Sequence, residues 1–333
     1  MRMRSFILTL ALLWAAGVSA ATSSEDARAL IKRMNDALIN RNYQGVLTHR
    51  WSGGSDTLRL IHRMRDGHMV ERVISLNGSG FEIVRDGTRF VQYFPARPGA
   101  KPGAKRIAVA EKRSRSYGYI SALNGVSAGS EKYYAISSGG TQRLLGWPTA
   151  TQFVSVEPRD ALRYGYRLWL DPQSAMPIKT QLVTKAGEVV DEISFSELQL
   201  MEAIPDDLLK PAVNPNDFQW KKPADLHAES VKQAFVPRAD LLPLGFRVLT
   251  AITGAEVQGA GPKTHFIVSD GISWASVVVT VASKSSDRFT EGFLPAMYAQ
   301  VNYVIKRDKH YISVMGEVPP DVAKKIAGAV LPE

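Results

Sequence analysis

The chain has 333 residues, a formal net charge of +9 and no cysteine, and 45% of its residues are hydrophobic. The lack of cysteine excludes disulfide bonds and a lipid-modified N-terminal cysteine, so stability must come from ordinary hydrophobic cores. Segment 95–116 carries seven basic residues against Glu111 alone, a net charge of +6. The remainder is close to neutral, which argues against a general nucleic-acid-binding surface.

The N-terminus predicts export. Arg2 and Arg4 precede an apolar run from Phe6 to Ala16, and small residues end at Ala20. This is the pattern of a cleavable secretory signal peptide, and the run is too short to span a bilayer. We expect residues 1–20 to be removed and the product to lie outside the cytoplasm. The length that remains favours two domains over one.

An amphipathic helix is predicted to begin the mature chain. Ser23 and Asp26 occupy the positions of a capping box, and the helical spacing ends near Asn40. Such a helix should lie across the face of a sheet. Its apolar stripe consists of Ala27, Leu30, Ile31, Met34 and Leu38.

Five strands with period-two patterning follow the helix. Asp66-Gly67, Asn77-Gly78 and Asp86-Gly87 separate them, and such dipeptides favour two-residue hairpin turns because both central residues need a positive φ. The sequence therefore predicts an antiparallel meander. The strands are Tyr43–Trp51, Thr57–Arg65, Met69–Leu76, Phe81–Arg85 and Arg89–Phe94.

Segment 95–116 interrupts the pattern. Its Pro-Gly-Ala-Lys repeat (98–105) combines turn formers and lysines without an apolar period, so we predict a long mobile loop. Beyond it, Tyr133–Ser137 is a candidate strand. Gly139-Gly140 and Gly146 are interpreted as turns that lead into the next meander.

Residues 152–200 contain a second run of strands separated by short turns. No stretch is long enough for a crossover helix, so these strands should be antiparallel neighbours. One strand shows strict alternation, which indicates one buried face and one wetter face. Its apolar face is Tyr164, Tyr166, Leu168 and Leu170, and its wetter face carries Arg163, Arg167 and Trp169.

A change of composition and hydrophobic periodicity after Leu200 predicts a domain boundary. Prolines recur there in a stretch with little hydrophobic periodicity, which suits a semi-rigid linker over 205–227. Residues 21–204 are therefore assigned to a first domain. The second domain, 228–333, contains five predicted strands. It closes with a helix at Pro320, a first-turn position that proline tolerates.

No motif for catalysis, phosphate binding or a structural metal is present in the sequence. His62 shares a strand face with Leu58 and Leu60, so a core histidine is favoured over a pH-sensitive contact. His49 and His62 together make a weak case for a metal site. We therefore expect no enzyme, no cofactor and no metal.

Carboxylates in the first meander sit beside arginines, so ion pairing is their default interpretation. They are Glu71, Glu82 and Asp86.

A strongly twisted sheet under one helix closes only partly and leaves an apolar concavity. Side chains on its inward face are more often plain core than the wall of a ligand pocket, and both interpretations stay open. The candidate lipid-pocket residues are Phe90, Phe94, Tyr164, Tyr166, Leu168 and Ile178.

The basic segment 95–116 has two balanced interpretations, a solvated tether and an anion clamp. As a clamp it would neutralise the phosphates of a lipid headgroup. The candidate anion contacts are Lys101, Lys105, Arg106, Lys112 and Arg113.

Several stretches, in this order and spacing, resemble one known family. They are NYQGVLTHR, RLIHRMRDG, ERVISLNGSGFEIVRDG and RYGYRLWLDPQSAMPIKTQLVTKAGEVVDEISFSEL, followed by PLGFRVL, THFIVSDG and HYISVMGEVP. Together they resemble the MucB/RseB family of periplasmic sigma-factor regulators over nearly the whole mature chain. The 95–116 segment departs from the resemblance, since it is longer and more basic.

The resemblance implies an α+β protein. Its N-terminal domain would be a half-open antiparallel β-barrel with a packed helix, similar to lipoprotein carriers, and a smaller α+β domain would follow. It also implies a periplasmic protein that binds the periplasmic region of a membrane anti-sigma factor and shields that region from proteolysis. A lipid or lipopolysaccharide signal would release the complex.

Two classes of function remain: a regulator that binds a protein partner, and a carrier of lipid or lipoprotein. The second domain favours the regulator, because a carrier needs only the half-barrel. We predict no nucleic-acid partner and leave a homo-oligomer open. The partner surface is expected on the second domain and the interdomain cleft, around Trp274 and Tyr298.

Overall fold

A computed structural model describes most of the chain beyond the N-terminal segment. The described residues are 24–77, 80–94, 99, 106–112, 119–120, 123, 126, 128–221, 235–254, 263–282, 290–295, 298 and 300–333. The predicted signal peptide lies outside them.

The N-terminal domain begins with helix α1 (Ser24–Asn40), one residue after the predicted cap. Short helical segments at Ala128–Lys132, Asp206–Leu209 (α2) and Pro215–Asp217 interrupt its strands. The strands are β1 (Asn42–Trp51), β2 (Gly54–Arg65), β3 (His68–Ser75), β4 (Glu82–Asp86), β5 (Arg89–Tyr93), β6 (Arg106–Lys112), β7 (Tyr134–Arg143), β8 (Ala150–Pro158), β9 (Gly165–Leu170), β10 (Pro177–Val183), β11 (Val189–Met201) and β12 (Phe218–Lys221).

Among the described residues these strands form one sheet of twelve, in the order β12-β6-β5-β4-β3-β2-β1-β11-β10-β9-β8-β7. The pairs are antiparallel except β12 with β6. The sheet is open, because its two end strands, β7 and β12, do not pair with each other among those residues. The first and second meanders join through the long β1–β11 pair. The predicted half-open antiparallel barrel is confirmed.

Helix α1 covers the concave face of this sheet and contacts β2, β7 and β8. Its apolar stripe packs with sheet side chains in one core, and each fully buried Leu or Ile contributes roughly 1.5–3 kcal/mol. This confirms the helix and the face that it buries. The core includes Ile31, Met34 and Leu38 from α1, with Leu47, Leu58, Leu60, Leu168 and Phe195 from the strands.

The predicted turn at Asp66-Gly67 is confirmed. Both residues have positive φ, 53° and 74°, as a type I′ hairpin turn requires. The Gly139-Gly140 prediction is wrong, since both residues lie within β7. The register of β7 on β8 shifts between Ser138 and Thr141, so these glycines accommodate an irregularity in the strand.

The predicted loop over 95–116 is wrong for residues 106–112. These residues form β6, which pairs with β5 on one side and with β12 on the other. β12 itself comes from the segment interpreted as linker. Phe218 of β12 is buried with Tyr93 and Ala108, and this contact explains why both segments join the sheet.

The C-terminal domain contains a sheet of six described strands in the order β14-β15-β16-β19-β18-β17. Helix α3 (Pro320–Gly328) packs on β18 and β19 and starts with proline, as predicted. A short pair, β13 (Phe235–Pro237) with β20 (Val330–Pro332), completes the domain. The six strands are β14 (Arg247–Gly254), β15 (Lys263–Ser269), β16 (Trp274–Val281), β17 (Gly292–Phe293), β18 (Val301–Arg307) and β19 (His310–Gly316).

Candidate functional site

The two domains meet at a buried ion pair. Arg163, in the turn before β9, is fully buried, and its Nη1 donates to Oδ2 of Asp270 at 2.6 Å. Its Nε donates to Asp160 at 2.9 Å and its Nη2 to the carbonyl oxygen of Leu244 at 2.7 Å. Although burial alone would lower it, the Asp160 hydrogen bond and the Asp270 charge raise the pKa of Arg163. We call these residues, with Tyr134, the arginine clamp.

Aromatic rings enclose the guanidinium of the arginine clamp. The central carbon of Arg163 lies 4.5 Å from the ring centre of Tyr133 and 5.5 Å from that of Phe246. The Tyr134 hydroxyl donates to Asp270 at 2.8 Å, and burial followed by the Asp270 charge raises the pKa of Tyr134. The sequence had placed Arg163 on a wetter strand face, and this prediction is wrong because the C-terminal domain covers it.

Asp270 is held in place by its own turn. The segment between β15 and β16 folds so that Oδ1 of Asp270 accepts the backbone N–H groups of Ile272 and Ser273, both at 2.9 Å. Oδ2 therefore remains for Arg163 and Tyr134. An Asp-Gly turn between two strands thus supplies the acid of the clamp.

A second interdomain contact is aromatic. His49, Trp51 and Tyr119 of the N-terminal domain form three walls, which we call the aromatic box. The ring of Tyr298, from the C-terminal domain, stacks on His49 at a centroid distance of 4.0 Å and an angle of 18°. Trp51 and Tyr119 meet the same ring edge-on, at 5.1 Å and 6.2 Å.

Hydrogen bonds fix the orientation of the His49 ring. Nε2 lies 2.9 Å from a carboxylate oxygen of Asp191, and Nδ1 lies 2.7 Å from the Tyr119 hydroxyl. Pairing of β1 with β11 places Asp191 opposite Trp51, two residues along the strand from His49. Burial raises the pKa of both Tyr119 and Tyr298, which keeps their hydroxyls neutral.

Glu317 makes a third interdomain contact, just after β19. The hydroxyl of Tyr166 in β9 donates to its Oε2 at 3.5 Å. Burial, and then the charge of Asp191, raise the pKa of Glu317 to about 7. Burial, and then the charge of Glu317, raise the pKa of Tyr166.

We expect Glu317 to make stability depend on pH. A carboxyl group whose pKa is higher in the folded protein stabilises the fold fully below its unfolded pKa, and that stabilisation is lost as pH rises through the folded pKa. Between pH 4.5 and about 7 the loss is at most about 3 kcal/mol. The thermal unfolding temperature of wild type should therefore decrease from pH 5 to pH 8 relative to that of Glu317→Gln. Glu188→Gln, at an exposed carboxyl, should follow wild type. Parallel curves for wild type and Glu317→Gln would contradict the assignment.

The six candidate pocket residues do not form one cavity wall. Phe90 and Leu168 belong to the core under α1, and Tyr164 is buried. Tyr166 packs against that core and contacts Glu317. Phe94 is 37% exposed, beyond the end of β5.

Of the six, Ile178 lines the cavity beside the end of α1. A cavity of about 310 Å³ opens beside the C-terminal end of α1, and the indole N–H of Trp147 is buried with no hydrogen-bond partner among the described residues. A groove of about 370 Å³ adjoins it and shares Arg41 with it. The other apolar lining residues are Leu198 and Leu200.

The candidate anion contacts are placed only in part. Arg106 lies in β6, where its side chain is 3.4 Å from Asp217 and stacks over Phe218 at 4.4 Å. Lys112 is the last residue of β6. The remaining three, Lys101, Lys105 and Arg113, lie outside the described residues. Arg106 is therefore already engaged within the fold.

The two candidate partner residues lie in different surroundings. Trp274 begins β16 and is half-buried. Tyr298 lies at the contact between the domains, where its ring fills the aromatic box.

The core-histidine prediction for His62 is confirmed, and the ion-pair prediction is confirmed for Glu71 and Glu82. His62 is buried, with Nδ1 3.3 Å from Glu71 and Nε2 3.2 Å from the carbonyl oxygen of Ile39, as a core histidine should be. Glu71 pairs with Arg85, and Glu82 pairs with Arg72 at 2.6 Å. The third carboxylate, Asp86, contacts Nε2 of His68 at 2.5 Å and not an arginine.

The described part of the chain contains neither a metal-binding cluster nor a membrane-spanning helix. No group of three or more histidines and carboxylates there could hold a metal ion. No helix there is long and apolar enough to cross a membrane.

Sequence reasoning missed the arginine clamp, the aromatic box and Glu317. Each joins residues that are far apart in the chain, such as Arg163 and Asp270, and no local signal indicates that they pair. The Asp-Gly turn at Asp270 could have been noticed, but not its partner.

The chain is similar to curated proteins over nearly all of its length. The sigma factor AlgU regulatory protein MucB of Pseudomonas aeruginosa is 25% identical over 338 residues, which covers 100% of this chain and 98% of that protein. The sigma-E factor regulatory protein RseB of Escherichia coli is 27% identical over 327 residues, covering 96% and 94%.

Solved structures show the same fold. MucB in the Pseudomonas aeruginosa MucA/MucB complex superposes with a TM-score of 0.63 at 22% identity, over 92% of this chain and 99% of that one. A structure of MucB in complex with MucA(peri) superposes with a TM-score of 0.62 at 23% identity, with the same coverage. The family model of the MucB/RseB N-terminal domain matches residues 26–213, and that of the MucB/RseB C-terminal domain matches residues 232–331. The chain therefore belongs to the MucB/RseB family.

Proposed function

We propose that this protein is a periplasmic negative regulator of an envelope-stress sigma-factor pathway. It binds the periplasmic region of a membrane anti-sigma factor and shields that region from proteolysis. The observation that carries the proposal is the match to both family domains in order, together with relatives named as sigma-factor regulatory proteins. The predicted signal peptide supports the periplasmic location.

The physical basis is occlusion. A protease needs its substrate in an extended form, and a segment held on a folded surface cannot adopt that form. The interdomain contacts supply a surface made from two domains, which supports a partner that spans both. No step in this role requires catalysis.

A lipid or lipopolysaccharide signal is the second part of the proposal. A ligand releases the partner only if it binds the released state more tightly than the complex. The cavity beside α1 supports a lipid, because Ile178, Leu198 and Leu200 offer apolar contacts beside the polar side chains of Arg41, Asp171, Gln173 and Ser174. The same cavity favours the alternative role, a carrier of lipid or lipoprotein.

Binding of the anti-sigma periplasmic region tests the first part. Trp274→Ala removes a half-buried aromatic at the expected partner surface, and we expect affinity to fall about tenfold or more, as for an interface hot spot. Calorimetry with the full mature chain measures it, and protease digestion of the anti-sigma region should show loss of protection.

Phe293→Ala is the matched control, since Phe293 is an aromatic with 47% exposure on the edge strand β17. Its affinity should stay near wild type. Equal loss in both variants would place the partner surface elsewhere, and no binding by wild type would reject the proposed function.

A further inference from the structure

The walls of the aromatic box are held by the N-terminal domain itself. His49 is fixed between Asp191 and Tyr119 by hydrogen bonds of 2.9 and 2.7 Å. The indole of Trp51 packs on Gly53, where an added Cβ would lie 2.8 Å from Nε1. These contacts all lie within the N-terminal domain.

The occupant of the box is strained. Tyr298 has a φ of 61°, in the left-handed region that residues other than glycine rarely adopt. Such a backbone persists only where surrounding contacts outweigh its cost, and an outlier of this kind suggests a functional constraint. The contacts that hold it are the His49 stack and the edges of Trp51 and Tyr119.

The chemistry of the box fits an aromatic side chain. One flat face and two ring edges surround the space, which are the arrangements that aromatic pairs prefer. The Tyr298 hydroxyl is buried with no hydrogen-bond partner among the described residues, so the ring and not the phenol group is what the box holds. Aliphatic side chains would not gain the stacking.

We propose that the aromatic box is a binding site for an aromatic side chain of an extended protein segment, and that Tyr298 is its built-in competitor. Tyr298 closes the domains as a tethered ligand. A segment that presents its ring on a relaxed backbone replaces Tyr298 without the left-handed strain. The identity of the natural segment, the anti-sigma periplasmic region, rests on the proposed function, but the site itself does not.

Tethering determines how the competition works. Because Tyr298 is part of the same chain, it is present at a high effective concentration and an external ring must compete against it. The arginine clamp and the Tyr166–Glu317 contact also hold the domains together, so entry of a ligand requires these contacts to yield or the Tyr298 segment to move locally.

N-acetyl-L-tyrosinamide is the probe for the site, used with the full mature chain. We expect Tyr298→Ala to bind it at least tenfold more tightly than wild type in a calorimetric titration. The double variant Tyr298→Ala/His49→Ala should lose that gain, because the stacking face is gone. Tyr298→Phe, which keeps the ring in the box, should behave as wild type.

Tyr303→Ala is the matched control, since Tyr303 contacts Phe293 at 4.8 Å within its own sheet and not the box. If Tyr298→Ala fails to fold by circular dichroism, Tyr298→Gly replaces it, because glycine suits a φ of 61°. Equal probe binding by Tyr298→Ala and Tyr303→Ala, or equal binding of N-acetyl-L-leucinamide and the tyrosine probe, would overturn the site.

The anti-sigma periplasmic region supplies the second arm. Because Tyr298 competes with this region for the aromatic box, it weakens binding of the region. Tyr298→Ala should therefore bind the region more tightly than wild type, and the probe should displace the region. Weaker binding would show that Tyr298 contacts the partner directly, which overturns the competitor role. If wild type and Tyr298→Ala both fail to bind the region, the proposed function fails, and the probe titration still decides the box.

Discussion

Replacing Arg163 with methionine should lower the free energy of unfolding by about 3–5 kcal/mol, because removal of one partner strands a buried charge. Asp270 would keep the Tyr134 hydroxyl and two backbone N–H groups but lose its only cationic partner among the described residues. Its side chain is fully buried, so water cannot replace the guanidinium. Urea unfolding followed by circular dichroism measures the loss.

The double variant Arg163→Met/Asp270→Asn should recover part of this stability, since it removes both charges. Arg167→Met is the matched control on the next strand. Its side chain is 31% exposed and pairs with a partly exposed Glu157 at 3.1 Å, so its loss should stay within about 1 kcal/mol. Similar losses for Arg163→Met and Arg167→Met would contradict the clamp.

The fold was largely predictable because its signals are local. Helix α1 was found from its apolar stripe, and β1 to β5 from alternation and from Asp-Gly turns such as Asp66-Gly67. One failure comes from distant pairing. Residues 106–112 join the sheet because β12 and β5 pair with them, and no pattern within the segment announces distant partners.

The candidate site was much less predictable than the fold. The alternation around β9 correctly predicted that Tyr166 and Leu168 face inward. It also predicted that Arg163 faces solvent, whereas Arg163 is fully buried. Periodicity indicates which residues share a strand face, but not which part of the protein covers that face. The aromatic box has the same limitation, since Tyr298 meets His49 only after both domains have folded.

A charge at Leu168 should unfold the N-terminal domain. Leu168 is 1% exposed in the core between α1 and the sheet, so Leu168→Glu buries a carboxylate with no cationic partner among the residues that pack on it. Either the charge or the shift in its pKa costs several kcal/mol, a large part of the roughly 5–15 kcal/mol by which a domain is stable. We expect loss of the cooperative thermal transition in circular dichroism.

The structure separates this residue from the lipid-binding hypothesis, in which Leu168 was a pocket wall. Leu200 is 40% exposed and lines the cavity beside α1, so Leu200→Glu should leave the domain folded. If that cavity takes acyl chains, this variant should weaken binding of a fluorescent fatty acid about tenfold or more, because a carboxylate would face the chain. A folded Leu168→Glu variant with normal melting would show that the concave face is an open pocket and not core. Unchanged fatty-acid binding in folded Leu200→Glu would remove the cavity from the lipid proposal and leave protein binding as the role that the domain interface supports.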